Sequence, residues 1–87
     1  MYIIIVYDVG IERVNKVHKF LKQYLHWIQN SVFEGELGEA DTLAVKKGIK
    51  GIIDADVDSV LLFVFRDPGF CKKEIIGQER NPTGTII

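Results

Sequence analysis

The chain has 87 residues, 47% of them hydrophobic and 26% charged, with a formal net charge of −1. That length accommodates one core and excludes a second domain, so residues 1–87 are expected to fold as a single unit, and the near-neutral balance excludes a uniformly basic nucleic-acid glove. The single cysteine, Cys71, excludes an intrachain disulfide and a thiolate metal cluster and suits a reducing, cytoplasmic setting.

Residues 1–9, MYIIIVYDV, form an apolar run rich in β-branched and aromatic side chains that closes on Asp8, which predicts a central strand buried on both faces. Gly10 breaks the run. From Ile11 onward Val14, Val17, Leu21 and Tyr24 recur every three or four residues, with Phe20 and Leu25 widening the stripe, as in an amphipathic helix. Its outer side is basic: between Gly10 and Asn30 the bases are Arg13, Lys16, Lys19 and Lys22, and Glu12 is the only acid. A polyanion is expected to lie there if one binds; the alternative is an ordinary solvated helix face.

Period two returns from His26 to Leu37, a segment too long for one strand, so a hairpin bending near Asn30 and Ser31 is predicted. Glu39 to Ile53 suggests a second helix marked by Leu43, Ile49, Ile52 and Ile53 and weakened by Gly48. Asp54 to Asp58 forms an acidic turn, Val60 to Phe65 a buried strand, and Pro68-Gly69 its end. The order β, α, β, β, α, β is that of a ferredoxin-like α+β sandwich, with a core over about residues 1–66. The remaining residues 70–87 are expected to supply one extra, dimer-completing strand, with Ile75 and Ile76 at its centre, that adds to a sheet edge, either its own or the partner's; a polar tail with Pro82 and Gly84 follows. Ile3 to Tyr7 and Val60 to Phe65, the longest apolar runs, fall far short of the ~20 residues that cross a bilayer, and no signal peptide is evident, so no membrane contact is expected.

Two segments carry candidate chemistry. Asp8, where a strand opens into a loop, is suited to a hydrated divalent cation, which takes one or two protein carboxylates and fills its shell with water and phosphate oxygens. In a dimer two such aspartates can face each other. The alternative is that Asp8 caps the following turn. In Gln29-Asn30-Ser31-Val32-Phe33-Glu34-Gly35, Ser31 can bond a phosphate and Phe33 can stack on a base or pack at a dimer seam; the alternative is that Ser31 serves its own turn and Phe33 the core.

Tyr7-Asp8-Val9, Arg13-Val14-Asn15-Lys16-Val17 leading to Phe20-Leu21, the Gln29 to Gly35 run and Asp58-Ser59-Val60-Leu61-Leu62 together resemble the Cas-two family of CRISPR-associated proteins. The resemblance implies a ferredoxin-like homodimer whose C-terminal strands cross to the neighbouring sheet. It implies a place in the spacer-acquisition complex, bridging the Cas-one integrase and holding a DNA duplex. For some members it implies metal-dependent endonuclease activity on RNA or double-stranded DNA, with magnesium, or manganese in its place, as cofactor. On this chain the metal aspartate falls on Asp8, the adjacent aromatic on Tyr7, and the hairpin serine and phenylalanine on Ser31 and Phe33, with Arg13, Lys16 and Lys19 as nucleic-acid contacts. Many relatives carry an arginine where this chain has Trp27, which cannot neutralise a phosphate.

Other candidates fall away. Asp54, Asp56 and Asp58 alternate like the start of a calcium loop, but Ser59 replaces its glycine and Phe65 its final glutamate. His18 and His26 lack a third ligand nearby, and Cys71 lacks an activating base. A small-molecule regulatory domain is the reading from a different class, since this fold serves many functions.

Overall fold

The computed structural model describes residues 1–67 and 69–79. Every second residue of β1 (Tyr2–Asp8) turns toward two helices, leaving Ile3, Ile5 and Tyr7 at 0–4% exposure. The intervening Ile4 and Val6 are only half-buried. The strand expected to be buried on both faces thus has one covered face and one open apolar face. An apolar run and an alternating strand cannot be told apart when both faces carry isoleucine and valine.

After Gly10 comes α1 (Ile11–Leu21), whose Val17 and Leu21 are buried. The chain then forms β2 (His26–Gln29) and β3 (Val32–Glu36), joined at the expected Asn30-Ser31 bend. Asn30 takes a left-handed φ of 44°, which asparagine tolerates better than most residues. The second helix, α2 (Glu39–Ile52), buries Thr42, Val45 and Ile49, while Leu43, expected on its inner stripe, is 56% exposed. Then follow β4 (Ser59–Phe65) and β5 (Cys71–Gly77). Among the described residues no helix is long and apolar enough to cross a membrane.

The sheet order is β2-β3-β1-β4-β5, antiparallel throughout. The first four strands give the ferredoxin-like core, and β5 extends it. That last strand adds to a sheet edge, as expected, and the edge is that of its own chain. It pairs along its whole length with β4, from Ser59 opposite Gly77 to Phe65 opposite Cys71. A seven-residue strand after a tight turn finds the nearest free edge, and Lys46 of α2 clamps Glu74 from the helix side at 2.8 Å. The tail with Pro82 and Gly84 lies outside the described residues.

Candidate functional site

The alternation of β1 sends adjacent residues to opposite faces. Tyr7, 4% exposed, enters the core, whereas Asp8 is exposed at the strand end, on the same face as Ile4 and Val6 and opposite Ser59 of β4. The Tyr7 ring stacks on Phe33 with centroids 6.2 Å apart and planes at 26°. Its backbone N–H donates to the Ser31 carbonyl at 3.1 Å, so the β1 end is tied to the hairpin bend. Burial pushes the Tyr7 hydroxyl above its ordinary value, and a hydrogen bond with the Ser31 side chain partly offsets this.

The structure therefore gathers Tyr7, Ser31 and Phe33 beneath Asp8, with different capacities. Phe33 is fully buried, with the His18 ring edge-on at 5.1 Å and Tyr7 on the other contact. It has no face for a base, which corrects the stacking expectation; it can act only by holding Tyr7 and the hairpin. Ser31 is half-buried at the bend. The exposed carboxylate of this group is Asp8. No group of three or more His, Cys, Asp or Glu able to hold a metal occurs among the described residues. One strand-end carboxylate per chain is a hard oxygen donor of the kind a hydrated magnesium or manganese ion uses, and a poor match for a caged zinc.

The basic helix divides in two. Lys16 and Lys19 are exposed on α1. Arg13 is committed inward. Its Nε donates to Asp58 Oδ2 at 2.5 Å, its Nη2 to Asp58 Oδ1 at 3.0 Å, and its Nη1 sits 2.8 Å from Glu12. A guanidinium forked onto a carboxylate that is 1% exposed has little left to offer a phosphate, so the expectation for Arg13 gives way to a structural role.

Asp58 has a role that the sequence did not assign to it, having stood there only in an acidic turn, a rejected calcium loop and the Asp58 to Leu62 run. Besides Arg13, it accepts the Gly10 N–H at 2.8 Å and the Asp54 N–H at 2.8 Å, and its carbonyl accepts the Gln78 N–H at 2.8 Å. One side chain thus joins the loop after Asp8, the first turn of α1 and the loop before β4. Gly77 allows β5 to close on this point, since a Cβ there would stand 2.3 Å from the Asp58 carbonyl.

Comparison with known proteins gives a consistent result. The family described as CRISPR associated protein Cas2 matches residues 1–73. A protein of Thermococcus kodakarensis named "CRISPR-associated endoribonuclease Cas2" is 54% identical over 87 residues, covering all of both chains. One of Pyrococcus furiosus with the same name is 52% identical, again over all of both chains. Among solved structures, one described as "Crystal structure of cas2" aligns with a TM-score of 0.74 and 47% identity over 100% of this chain and 98% of the other. Cas2 of Streptococcus pyogenes, crystallised at pH 6.5, aligns with a TM-score of 0.69 and 31% identity over 75% of this chain and 86% of its own.

Proposed function

The chain belongs to the CRISPR-associated Cas2 family, and from that premise we propose that it acts as a cytoplasmic homodimer that binds nucleic acid and hydrolyses phosphodiester bonds with a divalent cation at Asp8. The observation that carries this reading is the placement of Asp8: an exposed carboxylate on the open sheet face, on a strand end held from below by Tyr7, Ser31 and Phe33. Relatives named endoribonuclease favour RNA over duplex DNA as the substrate of cleavage.

Asp8 of each protomer would hold magnesium, or manganese in its place, with water completing the shell. Such a cation, when bound, polarises a phosphate oxygen and lowers the pKa of an attacking water. The protein's own contribution is positional. The Tyr7–Ser31 backbone bond and the Tyr7–Phe33 stack fix the strand end from which Asp8 projects. Lys16 and Lys19 neutralise phosphates on the outer side of α1, a term that weakens with salt.

A second reading is compatible with the first. The dimer bridges the Cas-one integrase and holds a DNA duplex during spacer acquisition, with the exposed lysines of α1 as its phosphate contacts. The small-molecule regulatory reading has no support of this kind. It predicts a saturable small ligand and no salt-dependent binding to nucleic acid.

The deciding experiment is cleavage of labelled single-stranded RNA and double-stranded DNA in magnesium by wild type and Asp8→Ala in parallel. The expected result is RNA cleavage by wild type alone, with thermal unfolding and duplex binding unchanged in the variant. Equal cleavage by both proteins would remove Asp8 from the site. Absence of cleavage by either, with duplex binding retained, would leave the architectural reading.

A further inference from the structure

The edge strand β2 carries an aromatic side chain that the core does not enclose. Trp27 keeps 53% of its surface exposed, although its register partner Phe33 is fully buried. The indole is nevertheless fixed in place. Its Nε1–H donates to the Asn30 carbonyl at 2.9 Å, and the His18 ring meets it edge-on, with centroids 5.4 Å apart and planes at 74°. The left-handed φ of Asn30 belongs to the bend that presents that carbonyl. A ring anchored at its nitrogen and braced on one edge has already lost its rotamer freedom, so a flat partner meets little further ordering cost.

The helix surface beyond His18 is cationic. Lys22 follows His18 by four residues, which places it one turn further along the same face at the helix C-cap, and Lys19, three residues before Lys22, is its neighbour on the helix surface. Both are exposed, and the acid of this helix, Glu12, lies at its opposite end in the first turn. Flat aromatic surface next to lysines is the pairing that single-stranded nucleic acid uses: each unpaired base offers a π-face, and its flanking phosphates need positive charge. A duplex keeps its internal bases stacked on one another and leaves the indole only the faces of its two terminal pairs.

We propose that the shoulder between α1 and β2 binds single-stranded nucleic acid, with one unpaired base stacked on Trp27 and the adjacent phosphates against Lys19 and Lys22. The proposal rests on reading the chain as a nucleic-acid-handling protein and is independent of Asp8 chemistry. A strand seated here would be held without a base-specific hydrogen bond, so the site selects strandedness rather than sequence.

Trp27 is the only tryptophan of the chain, so its fluorescence reports on the site directly. The measurement is titration of the full-length protein, in EDTA, with a non-self-complementary RNA of about 12 nucleotides and with the matching blunt duplex. Binding of the same labelled oligonucleotides is followed separately by polarisation. Quenching by the single strand but not the duplex is expected, unchanged by Asp8→Ala. Trp27→Ala should weaken single-strand binding roughly tenfold, Trp27→Phe much less, and neither should alter duplex binding. The phenylalanine variant separates loss of stacking from loss of fold. Single-strand binding without quenching, or equal quenching by duplex, would overturn the proposal while leaving nucleic-acid binding intact. Failure of both oligonucleotides to bind would overturn it together with the reading on which it rests. An indole signal that follows protein concentration and ignores oligonucleotide would overturn it in favour of a contact between copies.

Discussion

A carboxylate surrounded by four donors is held far from protonation. Asp58 receives two guanidinium bonds from Arg13 and the N–H groups of Gly10 and Asp54, and the Arg13 bonds are the largest cause holding its carboxyl well below the usual carboxylate range. Because folding lowers this pKa from an ordinary value of 3.8, the stabilisation is present in full above that value and drains away as pH falls through it toward the folded pKa. Wild-type melting temperature should therefore decline below about pH 4. Asp58→Asn should melt earlier at neutral pH and follow a flatter curve in acid. Removing one partner of a buried pair costs about 3–5 kcal/mol; the lower end is expected here, since the Arg13 side chain keeps 20% exposure and can reach water. Calorimetry from pH 7 down to pH 2 checks this, and parallel curves for the two proteins would count against it. Nothing local in the sequence announces this pair, whose members stand 45 residues apart. Asp58 resembled one more acid in a polar turn, and Arg13 one more base on a basic helix. The exposed strand-end position of Asp8, by contrast, was legible because a charge that closes an apolar run stands out in any fold.

At the level of elements, the order of helices and strands followed from the changes of apolar period, and the hairpin bend from Asn30-Ser31. The fate of β5 did not follow, because a short apolar stretch such as Ile75-Ile76 says that a sheet edge is needed but not whose. Gly48 shows a related limit. Propensity marks it as a weakness in α2, yet the structure gives it a function: a Cβ there would stand 2.0 Å from the end of the Phe20 ring of α1, itself packed on Tyr24 with centroids 5.4 Å apart. Gly51, three residues on in the same helix, has nothing within 4 Å of such a Cβ. Alanine gains about 1 kcal/mol of helix propensity over glycine, whereas overpacking a filled contact costs about 1–3 kcal/mol. Gly51→Ala should thus raise the melting temperature and Gly48→Ala lower it. Thermal denaturation of the two variants side by side decides the matter, and a stabilised Gly48→Ala would mean that Phe20 swings away at no cost.

For the whole molecule, the question is what covers the open face of the sheet. Ile4, Val6, Leu61, Phe63 and Ile75 lie there only half-buried, flanked by Tyr2 and Phe65 at 37% and 36% exposure. An apolar sheet face left to water is the kind of surface that association removes, and a small domain gains proportionally most from removing it. Asp8 lies on this same face. Two copies packed face to face would bring two carboxylates toward one cation, so dimerisation and cleavage should be lost together. Phe63 gives a way to separate that coupling from simple misfolding. It pairs in register with Ile4 and Lys73 at the middle of β4, but its side chain faces away from the buried core, so Phe63→Asp should leave the sheet intact. The expected variant sediments as a monomer, keeps its circular dichroism spectrum, and cleaves RNA no better than Asp8→Ala although its own Asp8 is untouched. A folded monomer that cleaves at the wild-type rate per chain would show instead that one Asp8 is sufficient, and that the open face serves assembly alone.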